Sequence, residues 1–562
     1  MKKKYLSIFA ALLIISMLAA CSGQGDPTTA TTAPMASEKT TEATKGEESE
    51  TAVENSDSAT KTDTSDSIYP IETDEVLTIW MELNGNLTTT VTSMSETEQA
   101  KYMEELTGVR VEYQHPTIDQ GREQFNLLLS AGELPDLIQY DWAKFSGGPE
   151  KAIADGYILK LNDLIDEYAP NLKNVLAERP VLDKEIRTDL GSYYAFPFVR
   201  GDSLNMVYHG PIIRSDWLED LNLDVPVTID DWYNTLKAFK ESYNAVFSFS
   251  GKLETGNNAA FLYGIPSAPF NVVAGFYMQD GKVVYGPSQD AFQDYLDEMV
   301  KWVSEGLVDP NIGNLDSAAQ QAGVLNGEIG LTNGNAGGQL GTWLKAIPED
   351  SPIKLQGIPY PVMNEGDIPF IGQKDFEYSS GHGWAISTSC KNPELAVKYL
   401  DFGYSKEGDL LFNFGKEGET YDLVGEIPTY SEQITENPDG KTLAEALAFY
   451  TRANYGGPFV QSKHYVHQYN VFPEQMEAIE TWMKTDAAKS LVPNITFTEE
   501  EMQTVATIKT DLDTYVDEYI AKIYTGKADA SDFEDFRAQL ESFGLSELQQ
   551  IYNTALERFQ TR

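Results

Sequence analysis

The pattern of hydrophobic and polar positions divides the chain into three parts. Residues 5–18 form an apolar run without a single charge, preceded by three lysines and followed by Ala19-Ala20-Cys21. Large apolar side chains then almost disappear until about residue 75. Regular apolar patterns begin near Val76 and continue to the end of the chain. The sequence therefore predicts an export segment, a polar tether and a large folded part.

The apolar run is too short for a membrane-spanning helix, which needs about 20 apolar residues. A positively charged start, a short apolar core and small residues at the end are typical of a signal peptide. Leu18-Ala19-Ala20-Cys21 resembles the lipobox of bacterial lipoproteins, which implies that Cys21 is acylated; the alternative is an ordinary signal peptide with an incidental cysteine. We expect residues 1–21 to leave the protein lipid-anchored at the cell membrane, on its extracellular face.

Residues 22–75 are rich in Thr, Ser, Ala, Glu and Asp. Such a segment buries too little apolar surface to offset the cost of chain ordering, so we expect it to be disordered. Its acidic residues outnumber its lysines, which extends the segment by self-repulsion. The prediction is a tether that holds the folded part away from the lipid.

Short apolar runs alternate with amphipathic segments at the start of the folded part. Strands are predicted at 77–81, 109–113 and 136–140, and helices at 96–106 and 119–130. Each of the two helices is followed by a glycine, a usual stop signal. The β-α-β-α-β order indicates a parallel sheet with crossover helices. Ligands bind at the carboxyl ends of such strands, so Glu82, Asp141 and Trp142 are candidates for the rim of a cleft.

Charge and cysteine content narrow the functional classes. The formal net charge is −46, and because binding to phosphates needs a basic surface, nucleic acid is excluded as a partner. Cys21 and Cys390 are the only cysteines, so an acylated Cys21 leaves no disulfide framework. A folded part of roughly 490 residues exceeds one ordinary core and indicates two large lobes.

Several short motifs follow one another in a fixed order along the folded part. They are Gly132-Glu133-Leu134-Pro135-Asp136-Leu137-Ile138, Tyr194-Ala195-Phe196-Pro197, Asn326-Gly327-Glu328-Ile329-Gly330, Gly383-Trp384-Ala385-Ile386-Ser387 and the segment from Phe412 to Tyr421. In this order they resemble extracellular solute-binding protein family 1, in particular the LplA-like oligosaccharide-binding lipoproteins of bacterial ABC importers. The resemblance extends over the whole folded part.

The resemblance implies an α/β fold of the two-lobed, type II periplasmic-binding-protein kind, with the lobes joined by a multi-strand hinge. The first lobe is expected at 76–199 and 367–402, and the second at 200–366 and 403–562. The resemblance also implies a protein that captures an oligosaccharide between its lobes and delivers it to the permease subunits of an ABC importer. We expect a monomer that needs no cofactor and no metal ion and catalyses no reaction.

A sugar site needs aromatic rings against the C–H faces and polar groups at the hydroxyl edges. Further candidates follow the hinge strand, follow the predicted strand 206–208, lie in or after the glycine-rich loop 334–338, or lie where the chain returns to the first lobe. In that order they are Arg200, Trp217, Asn335 with Trp343, and His382 with Trp384. For Trp217 the alternative is a place in the core, and for Arg200 it is an interlobe salt bridge.

A secreted polysaccharide-active enzyme is the main alternative function, since two carboxylates can suffice for glycoside hydrolysis. The sequence has no Gly-x-Ser-x-Gly, His-Glu-x-x-His, phosphate-loop or EF-hand motif. His464 and His467 have metal-ligand spacing but lack a third ligand nearby. A sugar sensor for a membrane receptor is a further alternative, which shares the expected fold and site.

Overall fold

Two β-sheets with different strand orders organise the part of the chain that the structure describes, residues 67–118 and 120–562 of a computed structural model. The predicted signal peptide, Cys21 and most of the predicted tether lie outside these residues. The strands are β1 Val76–Trp80, β2 Arg110–Gln114, β3 Leu137–Tyr140, β4 Phe196–Arg200, β5 His209–Arg214, β6 Val246–Phe247, β7 Phe276–Gln279, β8 Lys282–Tyr285, β9 Ile329–Asn335, β10 Leu355–Gly357, β11 Tyr378–Ile386, β12 Tyr421–Val424, β13 Ile427–Tyr430 and β14 Val460–Gln461.

Helices cover both sheets and form most of the C-terminal third. They are α1 Glu98–Thr107, α2 Gly121–Ala131, α3 Gly148–Ala154, α4 Asn162–Tyr168, α5 Pro170–Glu178, α6 Pro180–Glu185, α7 Ser215–Leu221, α8 Ile229–Tyr243, α9 Ala259–Leu262, α10 Asp290–Ser304, α11 Ser317–Asn326, α12 Gly341–Ala346, α13 Pro393–Asp401, α14 Lys406–Phe414, α15 Glu432–Thr435, α16 Leu443–Tyr450, α17 Lys463–Tyr469, α18 Pro473–Trp482, α19 Glu499–Tyr524, α20 Phe533–Ser542 and α21 Leu545–Gln560. None of the helices in the described ranges is both long and apolar enough to cross a membrane.

The first sheet has the strand order β14-β4-β11-β3-β1-β2. β1 pairs in parallel with β2 and with β3, and its residue Ile79 lies opposite Tyr113 and Leu137. The crossover helices α1 and α2 end at Gly108 and Gly132, whose φ angles are 74° and 72°. Glycine adopts this left-handed conformation without the clash that a Cβ would cause. The predicted β-α-β-α-β unit is confirmed, with boundaries that differ by one or two residues.

The second sheet has the strand order β10-β5-β9-β6. Helix α18 packs on β5 and β10, where Trp482 Nε1 donates to the carbonyl oxygens of Ile358 at 3.1 Å and Pro211 at 3.3 Å. Gly210 and Gly357 face this helix, and a Cβ on either residue would collide with Trp482 or Ala478. The glycines therefore allow the close approach of the helix to the sheet.

The chain passes from the first sheet to the second between β4 and β5 and returns between β10 and β11. The predicted boundaries of the two lobes stay a prediction. β14 lies within 403–562, which the sequence assigns to the second lobe, but it pairs in parallel with β4, where Val460 lies opposite Val199.

The C-terminal helix is tied to the connection between α6 and β4 by a small ionic network. Arg558 Nε and Arg562 Nε each donate to one carboxylate oxygen of Asp189, both at 2.8 Å. Arg558 also pairs with Glu501 of α19 at 2.6 Å. Arg558 and Asp189 keep only 27 % and 16 % of their side chains exposed, so the network is partly shielded from solvent.

Candidate functional site

A cavity of about 310 Å³ has walls from both sheets and from helix α17. Small-molecule sites typically measure about 300–1,000 Å³, so the cavity is at the lower end of that range. Its aromatic residues are Phe198, Tyr208, Tyr455, Tyr465 and Tyr469, and its polar residues are Arg200, Asn205, Asn335, His382, Asn454, Gln461 and Asn470. Aspartate and glutamate are absent from the described residues that line it.

Strand β4 contributes Phe198 and Arg200, which point to the same side of the sheet because they are two residues apart. Arg200 Nε lies 3.0 Å from Asp375 Oδ2, at ion-pair distance, and its guanidinium lies 5.6 Å from the ring centres of both Phe198 and Tyr208. Burial raises the pKa of Asp375, and Arg200 opposes this rise. The two rings and the carboxylate together fix the orientation of the guanidinium.

His382 enters the cavity from an irregular part of β11. Ser379 pairs with Phe198 and Trp384 pairs with Phe196, so the intervening residues 380–383 lie opposite Pro197 alone. A bulge re-aims side chains, and here it brings His382 to the cavity wall.

The imidazole of His382 is neutral at physiological pH. Burial lowers its pKa to about 4, and the nearby cations Arg200 and Arg452 act in the same direction. The side-chain amide nitrogen of Gln139 lies 3.2 Å from His382 Nδ1. Because an amide N–H can only donate, Nδ1 accepts and the ring proton lies on Nε2. His382 can therefore donate one hydrogen bond to a ligand.

Two asparagines of the cavity have amide oxygens without a partner. Asn205 is only 4 % exposed, and its Nδ2 donates to the carbonyl oxygen of Gln461 at 2.7 Å. Asn454 Nδ2 donates to the carbonyl oxygen of Ala444 at 2.8 Å. Both Oδ1 atoms are buried and accept no hydrogen bond from the described residues. Since buried polar atoms are normally hydrogen-bonded, these oxygens leave acceptor capacity unused at residues of the cavity wall.

The glycine-rich loop forms part of the opposite wall. β9 ends at Asn335, whose Oδ1 accepts a hydrogen bond of 2.6 Å from His209 Nδ1. Burial lowers the pKa of His209 to about 4, so this ring is neutral and its donor is fixed. Gly337 then lies against the ring of Tyr469, and a Cβ at Gly337 would collide with that ring. The bare backbone of the loop thus reaches the cavity wall, next to an aromatic ring.

Three of the residues predicted from the sequence, Arg200, Asn335 and His382, are brought together at the cavity. Glu82 is exposed, and Asp141 forms an ion pair with Lys144 at 2.9 Å. Neither Glu82 nor Asp141 lines the cavity. Ligand binding by any of these residues stays a prediction.

The four tryptophans among the predicted site residues are buried core residues in this structure. Trp142, Trp217, Trp343 and Trp384 are 0 %, 7 %, 1 % and 2 % exposed. Trp142 packs edge-on against Phe125 at 5.5 Å, and Trp217 stacks on Tyr243 at 4.3 Å. Such rings fill the space between layers and have no free face for a sugar, so we leave them out of the site.

Sequence reasoning missed the lining residues that lie between 453 and 470. These are Ala453, Asn454, Tyr455, Gly456, Gln461, Tyr465, Val466, Tyr469 and Asn470. One signal was present: Tyr465 and Tyr469 are four residues apart, which places both rings on one face of α17. Their ring centres are 5.3 Å apart and the rings are stacked.

The described residues contain no group of three or more His, Cys, Asp or Glu side chains that could hold a metal ion. His464 and His467, which have ligand spacing in the sequence, both lie on the short helix α17. The chemistry available at the cavity is therefore that of hydrogen bonds, one guanidinium and aromatic surface.

Comparison with known proteins gives matches along most of the chain. The family model of the bacterial extracellular solute-binding proteins matches residues 85–409. The fructooligosaccharide ABC transporter substrate-binding protein FusA of Streptococcus pneumoniae is 26 % identical over 494 residues, which cover 82 % of this chain and 86 % of FusA. The polygalacturonan/rhamnogalacturonan-binding protein YtcQ of Bacillus subtilis is 24 % identical over 364 residues, covering 62 % of this chain and 68 % of YtcQ.

Solved structures share the fold. The alginate-binding protein AlgQ2 gives a TM-score of 0.66 at 25 % identity, covering 86 % of this chain and 99 % of AlgQ2. A solute-binding protein associated with an HMO-binding ABC transporter of Bifidobacterium longum infantis gives 0.69 at 20 % identity, with the same coverage. The predicted α/β fold of the two-lobed, type II periplasmic-binding-protein kind is confirmed. Because the family model matches more than half of the length of this chain, the chain belongs to the bacterial extracellular solute-binding proteins.

Proposed function

We propose that this protein captures an oligosaccharide outside the cell and delivers it to the permease subunits of an ABC importer. The observation that carries the proposal is the pair of buried, partnerless amide oxygens of Asn205 and Asn454 beside the tyrosines of the cavity. Sugar hydroxyls donate hydrogen bonds, and sugar C–H faces pack on aromatic rings. A carbohydrate therefore satisfies both features of the cavity at once.

The relatives support the same class of ligand. FusA is named for fructooligosaccharide, YtcQ for polygalacturonan and rhamnogalacturonan, and AlgQ2 for alginate. All three are named as binding proteins rather than as enzymes. Their named ligands are all carbohydrates of more than one sugar unit, which favours an oligosaccharide over a single sugar.

The cavity also favours binding over catalysis. Glycoside hydrolysis normally needs two carboxyl groups that flank the scissile bond. Asp375 is the carboxylate directly behind the wall, and it is engaged by Arg200 and by the hydroxyl of Tyr208 at 3.3 Å. Without a pair of free carboxylates among the residues that line the cavity, the site is suited to holding a sugar unchanged.

The location that we propose is the outer face of the cell membrane. Membership in an extracellular family agrees with the signal-peptide pattern of residues 1–21. The lipobox-like Leu18-Ala19-Ala20-Cys21 supports a lipid anchor at Cys21, and Bacillus subtilis LipO, a lipoprotein, is 23 % identical over 478 residues. The protein would act as a monomer tethered beside its permease.

The test is a binding screen of the full-length protein, solubilised in detergent, against a broad oligosaccharide panel. A ligand that binds only the folded state raises the melting temperature by mass action. We expect melting shifts for a subset of oligosaccharides and unchanged ligand when the mixture is analysed by chromatography. Product formation would support the enzyme alternative, and the absence of binding to every oligosaccharide would contradict the proposal.

A further inference from the structure

The cavity has a charge that is unusual for this protein. The chain carries 87 acidic residues against 41 lysines and arginines. Nevertheless, none of the described residues that line the cavity is a carboxylate, whereas Arg200 lines it. The wall of the cavity therefore differs in charge from the rest of this acidic chain, and this difference favours a ligand with a negative charge.

Arg200 keeps donor capacity that the protein does not use. Its Nε faces Asp375, and its Nη1 donates to Gln461 Oε1 at 3.3 Å. Nη2 has no hydrogen-bond partner among the described residues, and 21 % of the side chain remains exposed. The guanidinium of Arg200 therefore keeps a free N–H group at a cavity that His382 also lines.

A second guanidinium lies behind the same wall. Arg452 is 3 % exposed, and its centre lies 4.7 Å from the ring of Tyr455, which lines the cavity, and 5.1 Å from the ring of Trp384. Its Nε donates to the carbonyl oxygen of Gly456 at 3.0 Å, while its buried Nη2 has no partner. No carboxylate of the described residues forms a salt bridge with it.

The local charges do not cancel. Arg200 and Arg452 are opposed by Asp375, while Asp141 is held by Lys144 at 2.9 Å. Burial lowers the pKa of His382, and Arg200 and Arg452 add to this decrease while Asp141 opposes it. A buried cation without a counter-charge is costly, and an anionic group on the ligand would remove that cost.

We infer that the oligosaccharide captured by this cavity is acidic, with a uronate carboxylate that binds the free edge of Arg200. This inference rests on the proposed function and narrows its ligand class. A planar carboxylate matches the N–H fork of a guanidinium better than a neutral hydroxyl does, and charge-assisted hydrogen bonds are about twice as strong as neutral ones. The hydroxyls of the same sugar supply the donors for Asn205 and Asn454.

The decisive ligands are pairs that differ only at the carboxyl group, which is charged in one member and a neutral methyl ester in the other. Short oligogalacturonates and their fully methyl-esterified forms have the same rings and hydroxyls, but only the acids carry carboxylates. Titration calorimetry on the detergent-solubilised full-length protein should give at least about 10-fold tighter binding for the acids, or about 1.4 kcal/mol. Neutral fructo- and manno-oligosaccharides and sulfated oligosaccharides complete the set.

Substitution of Arg200 tests the residue. Arg200→Gln should reduce the preference for the acids over the esters from at least about 10-fold to within about threefold, whatever it does to the binding of both. Arg537→Gln is the matched control, because Arg537 is also partly buried and pairs with Asp290 at 2.7 Å but lies on α20 and does not line the cavity. If Arg200→Gln does not fold, the comparison of acid and methyl-ester affinities on the unchanged protein tests the inference by itself.

The outcomes separate the inference from the proposed function. Esters or neutral sugars that bind as tightly as the acids would overturn the inference and leave the proposed function intact. Sulfated sugars that bind more tightly than uronates would overturn the assignment of a carboxylate. If none of the sugars binds, neutral or acidic, the proposed function itself fails.

Discussion

Gly337 of the second sheet's loop and Tyr469 of helix α17 are in such close contact that a side chain on Gly337 would collide with the ring. This contact fixes the position of the Tyr469 ring at the cavity wall, which Gly337 also lines. Tyr469 also stacks on Tyr465, with ring centres 5.3 Å apart. The two rings thus form a supported aromatic surface, which is a requirement for stacking a sugar at low entropy cost.

Tyr469→Ala should weaken oligosaccharide binding by about 2 kcal/mol, or about 30-fold, because it removes one half of this surface. Calorimetric titration measures the effect. Tyr233→Ala is the matched control, since Tyr233 is also half-exposed but lies on α8, away from the cavity. Equal affinities for the two variants would remove α17 from the site.

Trp343→Phe should lower the melting temperature and leave the sugar affinity of the folded protein within about threefold. Trp343 is 1 % exposed, so the smaller ring leaves a cavity in the core. Thermal unfolding and titration on the same preparation distinguish the two effects. A large loss of affinity with an unchanged melting temperature would restore Trp343 to the binding site.

Glu185→Gln should stabilise the protein at about pH 8 and have little effect at about pH 4. Burial raises the pKa of Glu185 to about 7, so the folded state holds a proton that the unfolded chain releases above its ordinary pKa near 4.5. The free energy of unfolding therefore falls between about pH 4.5 and 7 in the unchanged protein, by roughly 3 kcal/mol from this group.

Urea unfolding of both proteins at several pH values measures this difference. The buried histidines His209 and His382, whose pKa values are lowered to about 4, destabilise the fold as pH falls below about 6.5. They act equally in both proteins, so the difference isolates Glu185. The exposed Glu480→Gln is the control, and a pH-independent difference for Glu185→Gln would contradict the raised pKa.

Cys21→Ser should release the protein into the medium or block its processing. The reason is that acylation of this cysteine is the proposed membrane anchor. The apolar run 5–18 belongs to the proposed signal peptide, which is removed from the mature protein. Fractionation of cells and medium, with Cys390→Ser as the matched control, measures the change. A Cys21→Ser protein that stays with the membrane would indicate a different anchor.

A bound oligosaccharide should make the protein more compact. Arg200 belongs to the first sheet and Asn335 to the second, so a ligand that contacts both is held best in the closed state and shifts the equilibrium towards it. Small-angle scattering should show a smaller radius of gyration at saturating sugar than with a sugar that does not bind. An unchanged radius would argue against hinge closure.

The sequence predicts the frame of this molecule better than its site. Apolar runs and the glycines at 108 and 132 determine where β1, β2, β3 and their helices begin and end. Strand-end position also identified Asp141 and Trp142, but it does not specify the direction of a side chain. The chain turns directly after β3 into a 3-10 turn at Trp142–Lys144, which rotates the indole into the core.

The rest of the site depends on contacts between distant segments. Asn205 is oriented by the carbonyl of Gln461, and Tyr469 is supported by Gly337. The local sequence pattern does not reveal such pairs, because it depends only on neighbouring residues, whereas these partners are far apart along the chain. Arg200 and His382 were accessible to prediction because they lie beside passages between the two sheets, and Asn335 because it lies in the glycine-rich loop at the end of β9.

The irregular pairing of β11 leaves His382 held from one side of its strand. The register with β4 shifts between Ser379 and Trp384, so the backbone of 380–383 lacks regular pairing with β4. On the other side, Gly383 is paired with Tyr140 of β3, and the side-chain amide of Gln139 from β3 lies 3.2 Å from His382 Nδ1. The place of the histidine in the cavity therefore depends on β3, a strand that contributes no residue to the cavity wall itself.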